Sequence, residues 1–455
     1  MKASFPVTAL LTVASLLSFQ AQAERTIGIN VLLTTDVTAA VVADLSRYGR
    51  VGNKLVSIDA VTMKIGESQL DAIRALPYVA SANPDAERNG APVDTVSATN
   101  FASGFNTFNN DAVNVTQIGT LARQVPFDGS GVYVAVIDTG LLDSWRQYFP
   151  QERVATQFGK AFNGGGGENG NVSEPTNKWE HDQNSHGTHV TSTILGYSLR
   201  GTPINGVAPR ATVIPVKVLN QNGSGWSSVV AAGITYVADL KNSGALGSSP
   251  VVINMSLGGS VLDAVEKAAV DYAVASGVIV VASAGNSGNA GMGYPGAYAP
   301  VISVAAAGWR GQWAPVGNNS WWNNRDVPES AGSEQFYMAD FSSRQKPGQD
   351  LDVSAPGVWN VGPYQVNSGQ TSYYFLSGTS MSSPHVAGIV ALMMQKNPAL
   401  TQGTVETLLE GAAKPMAAGC ATVNEPGGVT DTTCWGADAT GAGFITADAA
   451  LAVTP

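Results

Sequence analysis

The sequence predicts an α/β protein with a doubly wound, mostly parallel sheet, preceded by a small α+β unit. Short apolar runs rich in Val and Ile recur in the later part of the chain, at Val132–Ile137, Ala211–Leu219, Val251–Met255, Val278–Ala282 and Val301–Ala306. Such runs are typical of strands buried on both faces. Segments with helical spacing, Val229–Leu240 and Val261–Ala275, lie between them. This alternation favours a parallel sheet that binds ligands beyond the carboxyl ends of its strands.

Composition narrows the class of protein. The chain has 455 residues, of which 44% are hydrophobic and only 13% charged, and its formal net charge is −10. A length of this kind suggests two or three domains with ample core. Because nucleic-acid binding needs clustered Lys and Arg, the acidic balance argues against nucleic acid as the main partner.

The first 23 residues have the pattern of a secretory signal peptide. Met1-Lys2 precedes an apolar stretch, Val7–Phe19, and then the small-x-small site Ala21-Gln22-Ala23. A retained anchor would need an apolar span of about 20 residues. No later segment is apolar enough to cross a bilayer, so we expect a secreted protein, extracellular or periplasmic, that is free of the membrane once the signal is removed.

Residues 24–88 are expected to form the small α+β unit, with an element order close to a split βαβ module. The predicted strands are Thr26–Leu33, Val56–Ile65 and Tyr78–Ala82, and the predicted helices are Ala39–Tyr48 and Glu67–Leu76. Residues 89–112 are rich in Asn, Ser, Thr and Gly, which predicts an exposed linker open to proteolysis. Residues 113–455 are expected to form one large unit.

Three polar segments of the large unit supply the parts of a nucleophilic site. Asp138 ends a buried strand, His186 lies in the segment Asn184–Val190 before a helix, and Ser380 begins another helix within Ser377–Gly388. A serine hydroxyl becomes a good nucleophile only when an imidazole removes its proton. The imidazole in turn needs a carboxylate to fix its tautomer and stabilise its charged form.

In their chain order Asp, His, Ser, these segments resemble the signature of subtilisin-like serine proteases, or subtilases, and the resemblance extends over 113–455. It implies that Asp138 orients His186, that His186 is general base and then acid, and that Ser380 forms an acyl-enzyme during peptide-bond hydrolysis. No catalytic cofactor is implied. Two alternative functions are a catalytically silent binding protein of the same fold and a carboxyl-type relative of it. The first usually lacks a triad member and the second has Glu in place of His, whereas this sequence has all three residues and His186.

The resemblance also assigns an oxyanion hole and a substrate groove. The Asn286 side chain, in Val281–Gly288, and the Ser380 backbone N–H are the expected oxyanion donors. The segments that resemble the two substrate-sandwiching strands are Gly223-Ser224-Gly225 and Ser256-Leu257-Gly258. Gly293 resembles the floor of the primary specificity pocket, where glycine implies a preference for large apolar residues.

Two further sites stay open at this stage. Many subtilases bind calcium, but the segments that match the usual site depart from the family pattern, and Asp340, Asp350 and Asp352 are alternative oxygen donors. Cys420 and Cys434 are the only cysteines, with thirteen residues between them. They either form a bridge, in keeping with an oxidising destination, or remain two free thiols.

Residues 24–88 resemble the inhibitor-type prodomain of many subtilases, chiefly through Leu70–Asp85. The resemblance implies a precursor that binds its own prodomain as an inhibitor and then protein or peptide substrates. It also implies a monomer. A permanent binding domain is the alternative interpretation.

Overall fold

The computed structural model describes residues 24–98, 108–116, 122–313, 327, 332–367 and 369–455. The predicted signal peptide, part of the predicted linker and the tryptophan pair Trp321-Trp322 lie outside these residues. Within the described ranges, no helix combines the length and apolarity that crossing a membrane requires.

Residues 24–84 fold as one antiparallel sheet with two short helices. In chain order the elements are β1 (Thr26–Leu33), α1 (Ala39–Leu45), β2 (Gly49–Leu55), β3 (Ala60–Gly66), α2 (Leu70–Arg74) and β4 (Val79–Pro84). The strand order is β2-β3-β1-β4, and apolar side chains such as Ile29, Val31, Met63 and Ile73 form a separate core.

The predicted strand 56–65 is wrong at its start. Val56–Ile58 is a short 3-10 turn, because Asp59 has a left-handed backbone with φ of 49° and the strand begins only after it. The strand β2 was not predicted. Its sequence, with two glycines and an Asn-Lys pair, is poor in strand-forming residues. The strand forms because its backbone is hydrogen-bonded to β3.

The remaining chain begins with two short strands, β5 (Glu87–Asn89) and β6 (Asp94–Ser97), where an exposed linker was expected. Most of residues 89–97 are exposed, as a linker would be, but both strands are hydrogen-bonded to later strands of the chain, which the expectation of a linker did not include. The following elements are α3 (Phe108–Ala112), β7 (Tyr133–Asp138), β8 (Lys160–Ala161), β9 (Asn163–Gly165), β10 (Asn171–Ser173), α4 (His186–Leu195), β11 (Gly196–Leu199), β12 (Thr202–Asn205), β13 (Thr212–Lys217), β14 (Ser224–Trp226), α5 (Ser227–Asn242), β15 (Val251–Met255), α6 (Ala264–Ala275) and β16 (Val278–Ser283).

The chain continues with β17 (Ile302–Trp309), β18 (Phe336–Met338), β19 (Val353–Pro356), β20 (Asn360–Pro363), β21 (Tyr373–Ser377), α7 (Thr379–Lys396), α8 (Gln402–Ala412), β22 (Gly419–Asn424), β23 (Thr430–Trp435) and α9 (Ala447–Val453). The central sheet has the order β18-β17-β16-β15-β7-β13-β8, with β19 also paired to β17. Every pairing in it is parallel except that of β18, which confirms the predicted fold class.

Helices cover both faces of this sheet. The helices α5 and α6 pack on one face through a core that includes Ile234, Val237 and Val265, and α4 and α7 pack on the other through a core that includes Val190 and Ile389. Because all the parallel strands run the same way, β7, β15 and β16 end at one edge, where α4 and α7 begin. That edge holds the candidate site.

The two cysteines form the predicted bridge. Cys420 and Cys434 lie directly opposite each other in the β22–β23 hairpin and are joined as a disulfide. The alternative of two free thiols is therefore wrong.

Candidate active site

Asp138 and His186 form a fully buried pair at the end of β7. The Nδ1–H of His186 donates to Asp138 Oδ1 at 2.8 Å and lies 3.0 Å from Oδ2, and neither residue is exposed. The backbone N–H of Thr139 also donates to Asp138 Oδ1, at 2.6 Å. The carboxylate thus fixes the ring with Nδ1 protonated and leaves Nε2 as the basic atom.

A second buried acid, which was not predicted, shapes the loop that enters α4. The carboxylate of Asp182 accepts from the backbone N–H groups of Asn184 and Ser185, and from the hydroxyl of Thr139. Ser185 is held with a left-handed φ of 83°, an uncommon conformation that these bonds stabilise. Asp182 therefore sets the backbone from which His186 projects.

Asp182 faces a buried lysine. Lys217 Nζ lies 3.9 Å from Asp182 Oδ1 and donates to the carbonyls of Thr139 and Leu219. Burial raises the pKa of Asp182, and Lys217 opposes that rise. Burial likewise lowers the pKa of Lys217. Sequence reasoning missed this pair because one acid in a polar loop and one lysine ending a strand carry no distinguishing local pattern.

Ser380 is the second residue of α7, and a proline explains how its backbone is held. Pro384 lies four residues later and has no N–H to donate to the Ser380 carbonyl. The hydroxyl of Ser256 donates to that carbonyl instead, at 2.8 Å. Ser256 also bonds Ser383, which donates to Asn254. These buried polar groups fix the start of α7 against the end of β15.

The Ser380 hydroxyl donates to the Ser256 carbonyl at 3.1 Å. Among the described residues, His186 Nε2 is buried without a hydrogen-bond partner. The structure therefore fixes the imidazole through Nδ1, while the serine hydroxyl is bonded to a backbone carbonyl and not to Nε2. Hydrogen bonds between catalytic groups are often incomplete before substrate binds.

Asn286 follows β16 and is held in one amide orientation. Its Oδ1 accepts from the Thr379 N–H at 2.9 Å and from the Thr379 hydroxyl at 2.8 Å. The Nδ2 group therefore points away from these donors and lies 3.5 Å from the position of a Cβ built on Gly378. The same position is 3.8 Å from Pro92 Cα, so the amide donor faces chain that passes through the site.

That passing chain is the segment 85–98, which we call the tail. The strand β5 pairs antiparallel with β14, placing Asn89 opposite Ser224 and Arg88 opposite Gly225. On its other side, Asn89 exchanges two backbone hydrogen bonds of 2.9 Å with Gly258. The tail thus lies between the two segments that were predicted to hold substrate.

Beyond Asn89 the tail crosses the site and joins a second edge. The N–H of Gly90 donates to the Gly223 carbonyl at 2.9 Å, and that of Val93 donates to the Ser377 carbonyl at 2.7 Å. The strand β6 then pairs antiparallel with β21. The Ala91–Pro92 peptide bond lies midway between these two anchored N–H groups.

The other predicted groove residues lie around the same segment. A Cβ built on Gly90 would lie 2.9 Å from the Ser256 carbonyl oxygen and 3.5 Å from Leu257 Cβ. The atoms nearest to a Cβ built on Gly293 do not belong to the tail. Gly293 lies against Gly258 and Gly259, and Tyr294 next to it exchanges two backbone hydrogen bonds with Gly259.

Two further histidines, His189 and His385, lie near these residues and serve the packing of helices. His189 Nε2 lies 3.1 Å from the Asn360 carbonyl, and His385 Nδ1–H donates to the Met381 carbonyl at 2.7 Å. Burial lowers the pKa of His189 to about 3 and that of His385 to about 4. In the described part of the chain, no group of three metal-ligating side chains includes a histidine.

One acidic group has the donors that calcium prefers. Oxygens of Asp350, Asp352 and Glu406 lie within 4.8 Å of one another. One oxygen of the buried Asp352 accepts from the N–H and hydroxyl of Ser303, whereas the other is buried with no partner among the described residues. This set fits a hard cation. Asp340, which was expected to contribute, is not in the group, and Glu406 was missed because it lies far along the chain.

Comparisons with known proteins agree with this geometry. A family model described as the subtilase family matches residues 129–436. The chain is 36% identical to subtilisin DY of Bacillus licheniformis over 291 residues, which is 63% of this chain and 85% of that protein. It is 37% identical to subtilisin E of Bacillus subtilis (strain 168), but spans only 61% of that protein's length.

Two solved structures extend the comparison to the fold. Fervidolysin from Fervidobacterium pennivorans, a keratinolytic enzyme related to subtilisin, superposes with a TM-score of 0.64 over 95% of this chain and 62% of its own, at 24% identity. Sphericase superposes with a TM-score of 0.54 over 76% of this chain and 99% of its own, at 28% identity.

Proposed function

Because this chain belongs to the subtilase family and is thereby a subtilisin-like serine endopeptidase, we propose that Asp138, His186 and Ser380 are its catalytic triad. The observation that carries the assignment is the buried His186–Asp138 hydrogen bond, which leaves Nε2 as a basic atom without a partner in the described part of the chain.

In the proposed reaction, Ser380 turns from the Ser256 carbonyl toward His186. As Oγ attacks the substrate carbonyl carbon, His186 Nε2 takes its proton and Asp138 stabilises the resulting imidazolium. The imidazolium then protonates the leaving amine as the C–N bond breaks, which leaves an acyl group on Ser380. Water, deprotonated by His186, attacks this ester, the bond between the acyl carbon and Oγ breaks, and the imidazolium returns its proton to Ser380 Oγ as the second product leaves.

The oxyanion of each tetrahedral intermediate would be held by the Asn286 Nδ2 group and the Ser380 N–H. Thr379 supports this role, since its two bonds to Asn286 Oδ1 leave the amide donor oriented before substrate arrives. The start of α7 adds a second favourable contribution, because helix N-termini stabilise negative charge.

Substrates would bind as an added strand between Gly223-Ser224-Gly225 and Ser256-Leu257-Gly258. Main-chain hydrogen bonds of the kind made by Asn89 and Gly90 require only an extended peptide, so protein and peptide substrates of varied sequence fit. Gly293, with no side chain, would leave room for a large apolar residue immediately before the cleaved bond.

We further propose that the protein is exported as an inactive precursor, with residues 24–88 as its prodomain. The tail supports this role, because it lies in the groove that substrate would use. Cleavage by Ser380 of the same chain, between about Asn89 and Asn106, would separate the two units. The group Asp350, Asp352 and Glu406 would hold a structural calcium ion, with no part in the chemistry.

The test is the full chain with Ser380→Ala. We expect casein hydrolysis at neutral to alkaline pH by the parent, abolished by a sulfonyl fluoride, and none by the variant. The variant precursor should accumulate uncut, because it lacks the nucleophile. Ser287→Ala, which removes an exposed hydroxyl near the site, is the matched control and should process normally. Processing of a protease-free Ser380→Ala preparation at the normal position would refute self-cleavage.

A further inference from the structure

The tail places an arginine in a closed acidic pocket of the large unit. Arg88 Nε donates to Glu266 Oε1 at 2.8 Å, and Nη2 donates to Glu266 Oε2 at 2.6 Å. Nη2 also reaches the Val261 carbonyl at 3.0 Å, and Nη1 reaches the Glu87 carbonyl at 2.8 Å. Both side chains of the ion pair are almost fully buried. A planar guanidinium with several donors fits this arrangement, and an ammonium does not match it.

The pocket belongs to the large unit and would remain after the tail has left. Glu266 lies in the first turn of α6, whose N-cap Asp263 accepts from the N–H groups of Val265 and Glu266. Gly259 forms one side of it, and a Cβ built there would overlap the Glu87 carbonyl oxygen and lie 2.7 Å from Arg88 Nη1. The absence of a side chain at Gly259 therefore makes room for both the tail backbone and the guanidinium.

Any extended peptide that adds to the same two edges will present one side chain to this pocket. Arg88 directly precedes Asn89, the residue paired with Gly258, and lies opposite Gly225. Counting back from the Ala91–Pro92 bond, midway between the anchored N–H groups of Gly90 and Val93, Arg88 is the fourth residue before the bond. The register of the tail thus assigns the pocket to one position of a substrate.

We propose that Glu266 is a specificity-determining residue that selects arginine at the fourth position before the cleaved bond. This inference rests on the proposed function, since it treats the tail as occupying the substrate groove. A substrate with an apolar residue there would cover the Glu266 carboxylate without supplying a cation, which is costly. Lysine would satisfy the charge but lose the two-point contact, and should rank between arginine and leucine.

The test uses the processed enzyme and N-acetylated peptide p-nitroanilides of sequence Xaa-Ala-Ala-Phe, in which Xaa is Arg, Lys, Leu or Ala. We expect kcat/KM for the Arg peptide to exceed that for the Leu peptide by about 10- to 100-fold. The ratio is not larger because a groove without the tail is partly open to water, which weakens the ion pair between substrate and Glu266. The Glu266→Leu enzyme should reverse this order while still cleaving the Leu peptide. Asp271→Asn, an exposed change on the same helix, should keep the parent's preference.

The outcomes separate the two proposals. An active parent enzyme with no preference for Arg, or an Arg preference that survives Glu266→Leu, would overturn the pocket assignment and leave the triad assignment standing. A parent that cleaves none of the four peptides would overturn both. If Glu266→Leu loses activity on every peptide, the test is made with Glu266→Gln, which keeps the shape of the side chain and removes its charge. The preference of this variant for the Arg peptide should be at least tenfold lower than that of the parent.

Discussion

Asn286, the proposed oxyanion donor, is held in one orientation before any charge develops. Two bonds from Thr379 hold its Oδ1, so the Nδ2 donor needs no reorganisation when an oxyanion forms. Replacing it by alanine removes a donor used in the transition state while leaving the groove unchanged. We expect Asn286→Ala to lower kcat by about 10²–10³, as established for the corresponding donor of subtilisin itself, with little change in KM.

Steady-state kinetics on one peptide substrate provide the measurement. Asn289→Ala, in the exposed turn just beyond, controls for disturbance of that turn and should leave kcat within about twofold of the parent. A rise in KM at constant kcat for Asn286→Ala would instead indicate uniform substrate binding and remove Asn286 from the oxyanion hole.

At the scale of the element, α4 and α7 each bury a neutral histidine beside the proposed triad. His385 has a pKa of about 4 in the folded protein because it is buried, whereas an unfolded chain has a histidine pKa of about 6.5. Between these values the unfolded chain binds a proton that the folded protein does not. The stability that neutral His385 contributes is therefore fully present above pH 6.5. It is lost as the pH falls toward 4 and amounts to about 3 kcal/mol.

We expect His385→Gln to remove that part of the acid sensitivity. The measurement is the free energy of unfolding in guanidinium chloride at pH 7.5 and 4.5, in the Ser380→Ala background to prevent self-digestion. The variant should be less stable at pH 7.5 but lose roughly 2–3 kcal/mol less on acidification. His181→Gln, at an exposed site, should lose as much as the parent. Equal losses in all three proteins would mean that His385 does not couple stability to pH.

Elements differed in how far the sequence predicted them. The strand β15 has the predicted bounds because it is a short run rich in Val and Ile, which is typical of a strand buried on both faces of a sheet. The strand β5 reads Glu-Arg-Asn and looks like a loop, and it is a strand because β14 and Gly258 complete its hydrogen bonds. Tertiary partners of this kind lie more than a hundred residues away and leave no periodic signal.

The residues of the site also divide into those that local sequence predicts and those that depend on distant partners. Asp138, His186 and Ser380 are marked by long motifs, and their placement followed from strand ends and helix starts. Asp182 and Glu266 were missed, because their importance comes from burial and from partners such as Lys217 and Arg88. Burial of a single acid on a helix or in a loop cannot be seen from its neighbours in sequence.

At the scale of the molecule, the N-terminal unit has its own core and contacts the large unit both through the tail, which lies in the groove, and directly, as where Asn30 and Asn83 donate to Asp263. A separate fragment of residues 24–91 should therefore inhibit the processed enzyme competitively. Residues 24–84 lack β5 and the Arg88–Glu266 pair, and should bind at least tenfold more weakly. Inhibition constants from peptide hydrolysis provide the test. Equal inhibition by both fragments would place the inhibitory contacts in the folded unit, and no inhibition by either would contradict an inhibitory role.

The strands β5 and β6 bind two separate edges and are joined by only four residues. Each therefore keeps the other at an effective concentration that short links set in the millimolar range. Breaking the chain between them alters no contact, yet it turns a unimolecular association into a bimolecular one. From that moment occupancy of the groove depends on how many molecules share a given volume, and spreading the protein through more solvent is enough to empty it.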